Sequence, residues 1–199
     1  MRHYALAATL FFASQASASD GPSLCANTEQ SASVRALYAT APVPPTFMAA
    51  TRLGMSEAIV ASALAGKETV GTSGAGFTEV WASLEGWGSV TVAIIKGGQV
   101  FEVHGPVLAG APSTKSQSFN LQPEGVGLGG HLRPDKIGAI YAIDIVSAQG
   151  PVRGVTFLDA AGEGIFGVYL PEGAEPSPEQ LKRFEQTRAV ISSLARVCN

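Results

Sequence analysis

Two histidines, His104 and His131, are the side chains of this sequence best suited to bind a metal or move a proton near neutral pH. His131 follows Gly129 and Gly130, so little side-chain bulk stands beside the imidazole, which favours the docking of something large and flat. His104 ends an apolar run and shares a strand face with Glu102, two residues earlier. The alternative for both is a hydrogen-bonded or exposed strand histidine.

Motifs of the common enzyme classes are missing from the sequence. It contains no HExxH metal site, no GxSxG nucleophile turn and no paired-cysteine zinc site. Gly125, Gly127 and Gly130 match GxGxxG, but a dinucleotide site needs a helix next, and Pro134 with a strand-like run follows instead. Conventional hydrolytic or redox catalysis is therefore not predicted.

The first 20 residues have the pattern of a secretory signal peptide. Arg2 precedes an apolar core, and Ala16-Ser17-Ala18 offers a small-residue cleavage site. We predict a signal peptide over 1–18, cleavage near Ala18-Ser19, and a periplasmic or secreted protein. An uncleaved anchor is the alternative. No later segment is apolar for long enough to predict a membrane span.

The two cysteines, Cys25 and Cys198, lie near opposite ends of the predicted mature chain. An oxidising compartment favours disulfide formation, so the prediction of export leads to the prediction that they pair. Two buried free thiols are the alternative.

Composition indicates an ordered domain without a nucleic-acid partner. Of the 199 residues, 46% are hydrophobic and 15% charged, which allows a sizeable core. The net charge of -3 provides no basic field for phosphates.

Helical patterns dominate residues 19–75. Asn27 or Thr28 is the expected cap of a first helix, and residues 46–65 resemble two helices joined at a corner, with Ser56 as the second cap. The weak charge of this pair argues against DNA binding and favours a packed helical cap. We expect residues 67–76 to be a linker.

Residues 76–199 predict a sheet between two helices, in one domain with the preceding region. Phe77, Val80, Trp81 and Leu84 have the spacing of one helix face. About seven strands follow, with one hairpin predicted at Gly97-Gly98 and a second at Ala160-Ala161-Gly162, and short connections predict antiparallel pairing. Ser177 begins a C-terminal helix. The expected fold is α+β, with a long antiparallel sheet flanked by the helical cap and the C-terminal helix.

Several motifs, in order and spacing, resemble those of the bacterial haem-utilisation carriers of the HutX/ChuX type. The matching segments are VWASLEGWGSVT (80–91), SFNL (118–121), GGHL (129–132), FLDAAGEGIFGVYL (157–170) and the LKRFEQ start of the terminal helix. The helical pair at 46–65 is also similar to the N-terminal region of that family.

The resemblance implies a haem-binding carrier with a HemS-like sheet, commonly a homodimer. It makes His131 a candidate axial ligand of the haem iron, since this residue stands in the GH motif, where the family has a haem-associated histidine. His104 is a candidate second ligand, Arg133 a candidate propionate partner, and Tyr141 a candidate haem contact or a core residue. The family is cytoplasmic, whereas this sequence predicts export.

Two family haem positions differ here. Ile95 stands where the family has a second histidine, and Ser118 where an aromatic residue often precedes FNL. We therefore expect a carrier of haem or another tetrapyrrole. A diverged envelope binding module that has lost haem is the alternative, and a haem-degrading enzyme is a third, weaker one.

Overall fold

The structure is a computed structural model, and it describes residues 23–40, 42–96, 99–121, 128–171 and 175–198. The predicted signal peptide over 1–18, the Gly97-Gly98 turn and the glycines 125 and 127 lie outside the described residues. Among the described residues, no helix combines the length and apolar character needed to cross a membrane.

Strands within the described ranges form two antiparallel sheets rather than one. The large sheet has the order β1-β7-β8-β9-β2-β3. Its strands are β1 (Thr69–Ser73), β2 (Ser89–Lys96), β3 (Gln99–Pro106), β7 (Ile137–Ser147), β8 (Gly150–Asp159) and β9 (Gly164–Tyr169). The predicted hairpins β2–β3 and β8–β9 are confirmed.

The small sheet contains β4 (Gly110–Pro112), β5 (Phe119–Leu121) and β6 (Gly130–Leu132), in that order. The sequence suggested that the FNL and GHL motifs belong to the long sheet. In the structure they form strands of the small sheet instead. Phe119 and Leu121 turn inward, and Phe119 packs edge-on against Phe77. The small sheet thus covers part of one face of the large sheet.

The linker predicted over 67–76 is wrong, because Thr69–Ser73 form edge strand β1 and pair with β7. Thr69 and Thr72 are fully buried. The segment is short, polar and interrupted by Gly71, so its strand character depends on the distant partner rather than on its own pattern.

Helices α1 (Thr28–Tyr38), α2 (Thr46–Leu53) and α3 (Glu57–Ala63) form the predicted helical cap. Asn27 caps α1 in a capping box, and the Ser56 hydroxyl accepts from the amide of Ile59 at the start of α3. Gly54 ends α2 in the left-handed conformation, with φ of 63°. Small residues of α3, including Ala58 and Ala61, let the cap pack closely on one face of the large sheet.

Helices α4 (Phe77–Leu84) and α5 (Pro178–Ser193) cover the opposite face. All four residues of the predicted α4 stripe are buried, which confirms that helix face. On α5, the Ser177 cap is confirmed by its capping box with Gln180, while Phe184 and Ile191 are fully buried. The architecture is the predicted α+β fold.

The predicted disulfide between Cys25 and Cys198 is confirmed, with Cα atoms 5.7 Å apart and a sequence separation of 173. It joins the segment before α1 to the segment after α5. The bridge therefore links the start of the helical cap covalently to the C-terminal segment of the chain.

Candidate functional site

A cavity of about 800 Å³ lies on the face of the large sheet that carries the helical cap. The first turn of α2, the β7–β8 turn and the segment after β9 form its sides, and strands β2 and β3 contribute to its floor. On β3 the side chains alternate, so Val100, Glu102 and His104 line the cavity. The volume is within the usual range for small-molecule sites.

His104 is the imidazole of this cavity, and it lies opposite Thr91 in the β2–β3 register. Its Nδ1 is 3.1 Å from Oγ1 of Thr91, and its Nε2 is 3.9 Å from Oε2 of Glu102. When Nδ1–H donates to Thr91, Nε2 keeps its lone pair for a metal. The side chain is 66% exposed, so a ligand in the cavity can reach it.

Tyr169 lines the same cavity and lies opposite Thr91 on the other side of β2. Its ring covers Gly154 and Gly167, two residues without a Cβ on neighbouring strands. Because glycine has no side chain, the ring can pack directly against the sheet backbone at these two positions.

His131 and Arg133 lie elsewhere, at the exposed surface of the small sheet and just after it. Nδ1 of His131 is 2.8 Å from Oδ1 of Asn120, its cross-strand partner. Arg133 donates to Asp135 at 2.7 Å and to Gln117 at 3.0 Å. The hydrogen bond to Asp135 raises the pKa of Arg133 and lowers the pKa of Asp135. The structure therefore does not bring His131 and His104 together.

Tyr141 is a core residue, only 2% exposed, and does not line the cavity. Its ring lies against Gly71 of β1, and its hydroxyl is 3.8 Å from Sγ of Cys198. Burial raises its pKa to about 12. Of the two roles open to Tyr141, the structure shows core packing beneath the disulfide.

The two positions that differ from the family also separate in space. Ile95 lines the cavity from β2, on the same face as Thr91, whereas Ser118 precedes β5 in the small sheet. Sequence reasoning missed Thr91 and Arg153 as cavity residues. The β2–β3 register, readable from the hairpin, was the available signal for Thr91.

Charge in the cavity is mixed. Glu102 and Glu175 bring carboxylates, and Arg153 brings a guanidinium that is held by Asp144 at 3.0 Å. Much of the remaining wall is apolar, with Phe47, Met48, Ile95, Val100, Ile143, Val152 and Leu170 among its members. Such a cavity suits a largely apolar molecule with a few polar edges.

A buried carboxylate, Glu57, lies behind this cavity. It lines a smaller neighbouring cavity of about 370 Å³, which shares Phe47 and Ile95 with the larger one. Glu57 is 3% exposed, and Thr46 Oγ1 donates to it at 2.7 Å. Burial, and secondarily repulsion from Glu163, raise its pKa against the opposing effect of the Thr46 hydrogen bond. Glu57 therefore connects α3 to the first residue of α2, which forms a wall of the cavity.

We expect the Glu57→Gln substitution to flatten the pH dependence of stability. With a raised folded-state pKa, the stabilisation from the Glu57 proton is complete below the usual value of 4.5 and is lost as the pH rises through the folded-state pKa. Glutamine keeps the acceptor for Thr46 without a charge. Urea unfolding at pH 4.5, 6.0 and 7.5 should show a stability advantage of the variant over the wild type that grows with pH.

Glu79→Gln, at an exposed position of α4, is the matched control and should follow the wild-type pH profile. Equal pH profiles for Glu57→Gln and the wild type would contradict the assignment of Glu57 as a proton-linked group.

Known proteins share this fold and part of this sequence. The haem utilisation ChuX/HutX family model matches residues 70–187. The intracellular haem transport protein HutX of Vibrio cholerae serotype O1 is 28% identical over 138 residues, which cover 68% of this chain and 70% of HutX.

Solved structures share this fold. A crystal structure of ChuX superposes with a TM-score of 0.71 at 20% identity, covering 81% of this chain and 99% of ChuX. A protein from Agrobacterium tumefaciens gives a TM-score of 0.69 at 25% identity, covering 82% of this chain and 92% of its own. Because the family match spans 118 of the 199 residues, this chain belongs to the haem utilisation ChuX/HutX family.

Proposed function

We propose that this protein binds haem in the cavity of about 800 Å³ and carries it without transforming it. The observation that supports this most is the position of His104, whose imidazole lines a largely apolar cavity on the same face as Ile95. Membership of the family supports the choice of ligand, since HutX is a haem transport protein.

The residues of the cavity fit a haem as cargo. Imidazole is a common axial ligand of haem iron, and a porphyrin needs apolar walls. His104 offers the imidazole, while Phe47, Ile95 and Val100 contribute apolar surface. Arg153 is a candidate partner for a propionate group at the cavity edge.

His104 takes the role that the second family histidine would have at Ile95. Both residues face the cavity, but His104 is on the neighbouring strand. The hydrogen bond between Nδ1 and Thr91 orients the ring, as an outer partner does for many metal-binding histidines. His131 remains a rival ligand at a different surface.

A hemin titration of the chain from Ser19 onward tests the proposal. We expect a saturable Soret shift in the wild type, and a loss of hemin affinity of about 10–100-fold in His104→Ala, because the axial imidazole is removed. His131→Ala is the matched control and should bind as the wild type does, since its side chain is outside the cavity.

The reverse pattern, with loss only in His131→Ala, would place the site on the small sheet. If the wild type gives no saturable Soret shift, the proposal of haem binding is wrong and the alternative of a diverged binding module without haem is favoured.

We also propose that the protein is exported and acts in the periplasm or outside the cell. The signal-peptide pattern and the Cys25–Cys198 bridge support this, since disulfides persist in oxidising compartments. Fractionation of cells that produce the full chain tests the location.

We further propose that the protein forms a homodimer. Exposed apolar side chains on the edge hairpin support it, with Phe101 60% exposed and Val100 53% exposed. Light scattering of the purified protein measures its mass and so tests this proposal.

A further inference from the structure

The ring of Tyr169 occupies space that is open only because residues 154 and 167 are glycines. A Cβ built on Gly154 would lie 2.9 Å from Cε1 of the ring, and one built on Gly167 would lie 2.6 Å from both Cζ and Oη. Both distances are shorter than side chains tolerate. Since the ring touches both positions, it lies flat across β8 and β9 instead of standing up from the sheet.

This flat ring is in line with the other residues of the cavity floor. In the sheet register Tyr169 pairs with Gly154 on one side and with Thr91 on the other, and Thr91 pairs with His104. Gly167 pairs with Ala93, so the floor beside the ring is made of small side chains. With strands about 4.8 Å apart, Tyr169 and His104 are separated by roughly 10 Å across β2.

We propose that Tyr169 is the aromatic floor on which the planar ring of a tetrapyrrole stacks, and that Gly154 and Gly167 are positioning residues that keep this floor flat. This inference rests on the proposed haem-binding function and extends it. Offset stacking between aromatic rings is favourable and needs no metal. The site is therefore expected to accept metal-free porphyrins as well as haem.

Two probes separate the floor from the iron ligand: hemin, and protoporphyrin IX without metal. We expect Tyr169→Leu to weaken both by about three- to tenfold, the usual worth of one aromatic contact. Tyr169→Phe keeps the ring and should therefore lose less affinity for both probes than Tyr169→Leu does. His104→Ala should lose hemin affinity while keeping protoporphyrin IX, because only hemin presents an iron.

Gly167→Ala tests the positioning role without removing the ring. A methyl group there must lift Tyr169 into the cavity, so both probes should bind more weakly. In the Gly167→Ala background, Tyr169→Leu should cause little further loss, because the glycine acts through the tyrosine. Thermal melts establish that each variant is folded. If Tyr169→Leu does not fold, Gly167→Ala decides the question.

The outcomes distinguish the two proposals. If the wild type binds both probes and Tyr169→Leu binds them equally well, the stacking floor is wrong and haem binding stands. Unchanged binding in folded Gly167→Ala likewise overturns the positioning role. If the wild type binds neither probe, the proposed function itself fails.

Discussion

Trp81→Ala is expected to reduce the free energy of unfolding by about 3–5 kcal/mol, as for other large aromatic truncations in cores. Trp81 is fully buried, and its ring contacts Phe77, Phe119, Phe157 and Phe166. Its indole nitrogen donates to the carbonyl of Leu108 at 3.1 Å. One side chain thus holds α4, the small sheet and the large sheet together.

Urea unfolding followed by circular dichroism measures this effect. Trp81→Phe is the control: it keeps an aromatic ring but leaves the Leu108 carbonyl without its donor, so a smaller cost, about 1–3 kcal/mol, is expected. A loss below about 1 kcal/mol for Trp81→Ala would show that the site collapses around the missing ring, and would contradict the role given to Trp81.

Removal of the bridge by Cys25→Ala together with Cys198→Ala is expected to cost about 2–5 kcal/mol. The bridge spans 173 residues, so it restricts the unfolded chain strongly, and the expected effect is near the upper end for disulfides. The loss should appear as a lower urea midpoint at pH 7.

Reductant provides the matched control. It should lower the midpoint of the wild type towards that of the double variant and leave the double variant unchanged. A thiol count on denatured, unreduced wild-type protein should find no free thiol from these two residues. Two free thiols before reduction would contradict the bridge.

The parts of the fold that sequence predicted are those with local causes. Ser56 and Ser177 cap helices because their hydroxyls accept from amides a few residues away. The α4 stripe follows from helical spacing, and the hairpins follow from nearby turns. The prediction of export, together with the presence of two cysteines, was enough to predict the pairing of Cys25 with Cys198.

The parts that sequence did not predict depend on distant partners. β1 reads as a linker because it has five residues and is interrupted by Gly71, yet pairing with β7 makes it a strand. The small sheet contains three-residue strands, too short for alternation to reveal. Both misjudged elements gain their structure from tertiary contacts.

The candidate site was predicted in part. The sequence favoured His131 as a ligand because of its glycine-rich surroundings, whereas the histidine that lines the cavity is His104. The alternation that placed Glu102 and His104 on one face was readable in the sequence and correct. The walls were not readable, because α2, the β7–β8 turn and the segment after β9 meet only in the folded chain.

The bridge also has a consequence for biosynthesis. Cys25 is translated 173 residues before Cys198, so its thiol stays unpaired until almost the entire domain has been synthesised. The large sheet is also completed late in translation, because β1 pairs with β7 and β2 pairs with β9. Only a chain elongated through α5 can close the bond, and a chain interrupted earlier keeps a free thiol at Cys25. The disulfide therefore marks covalently which molecules were completed.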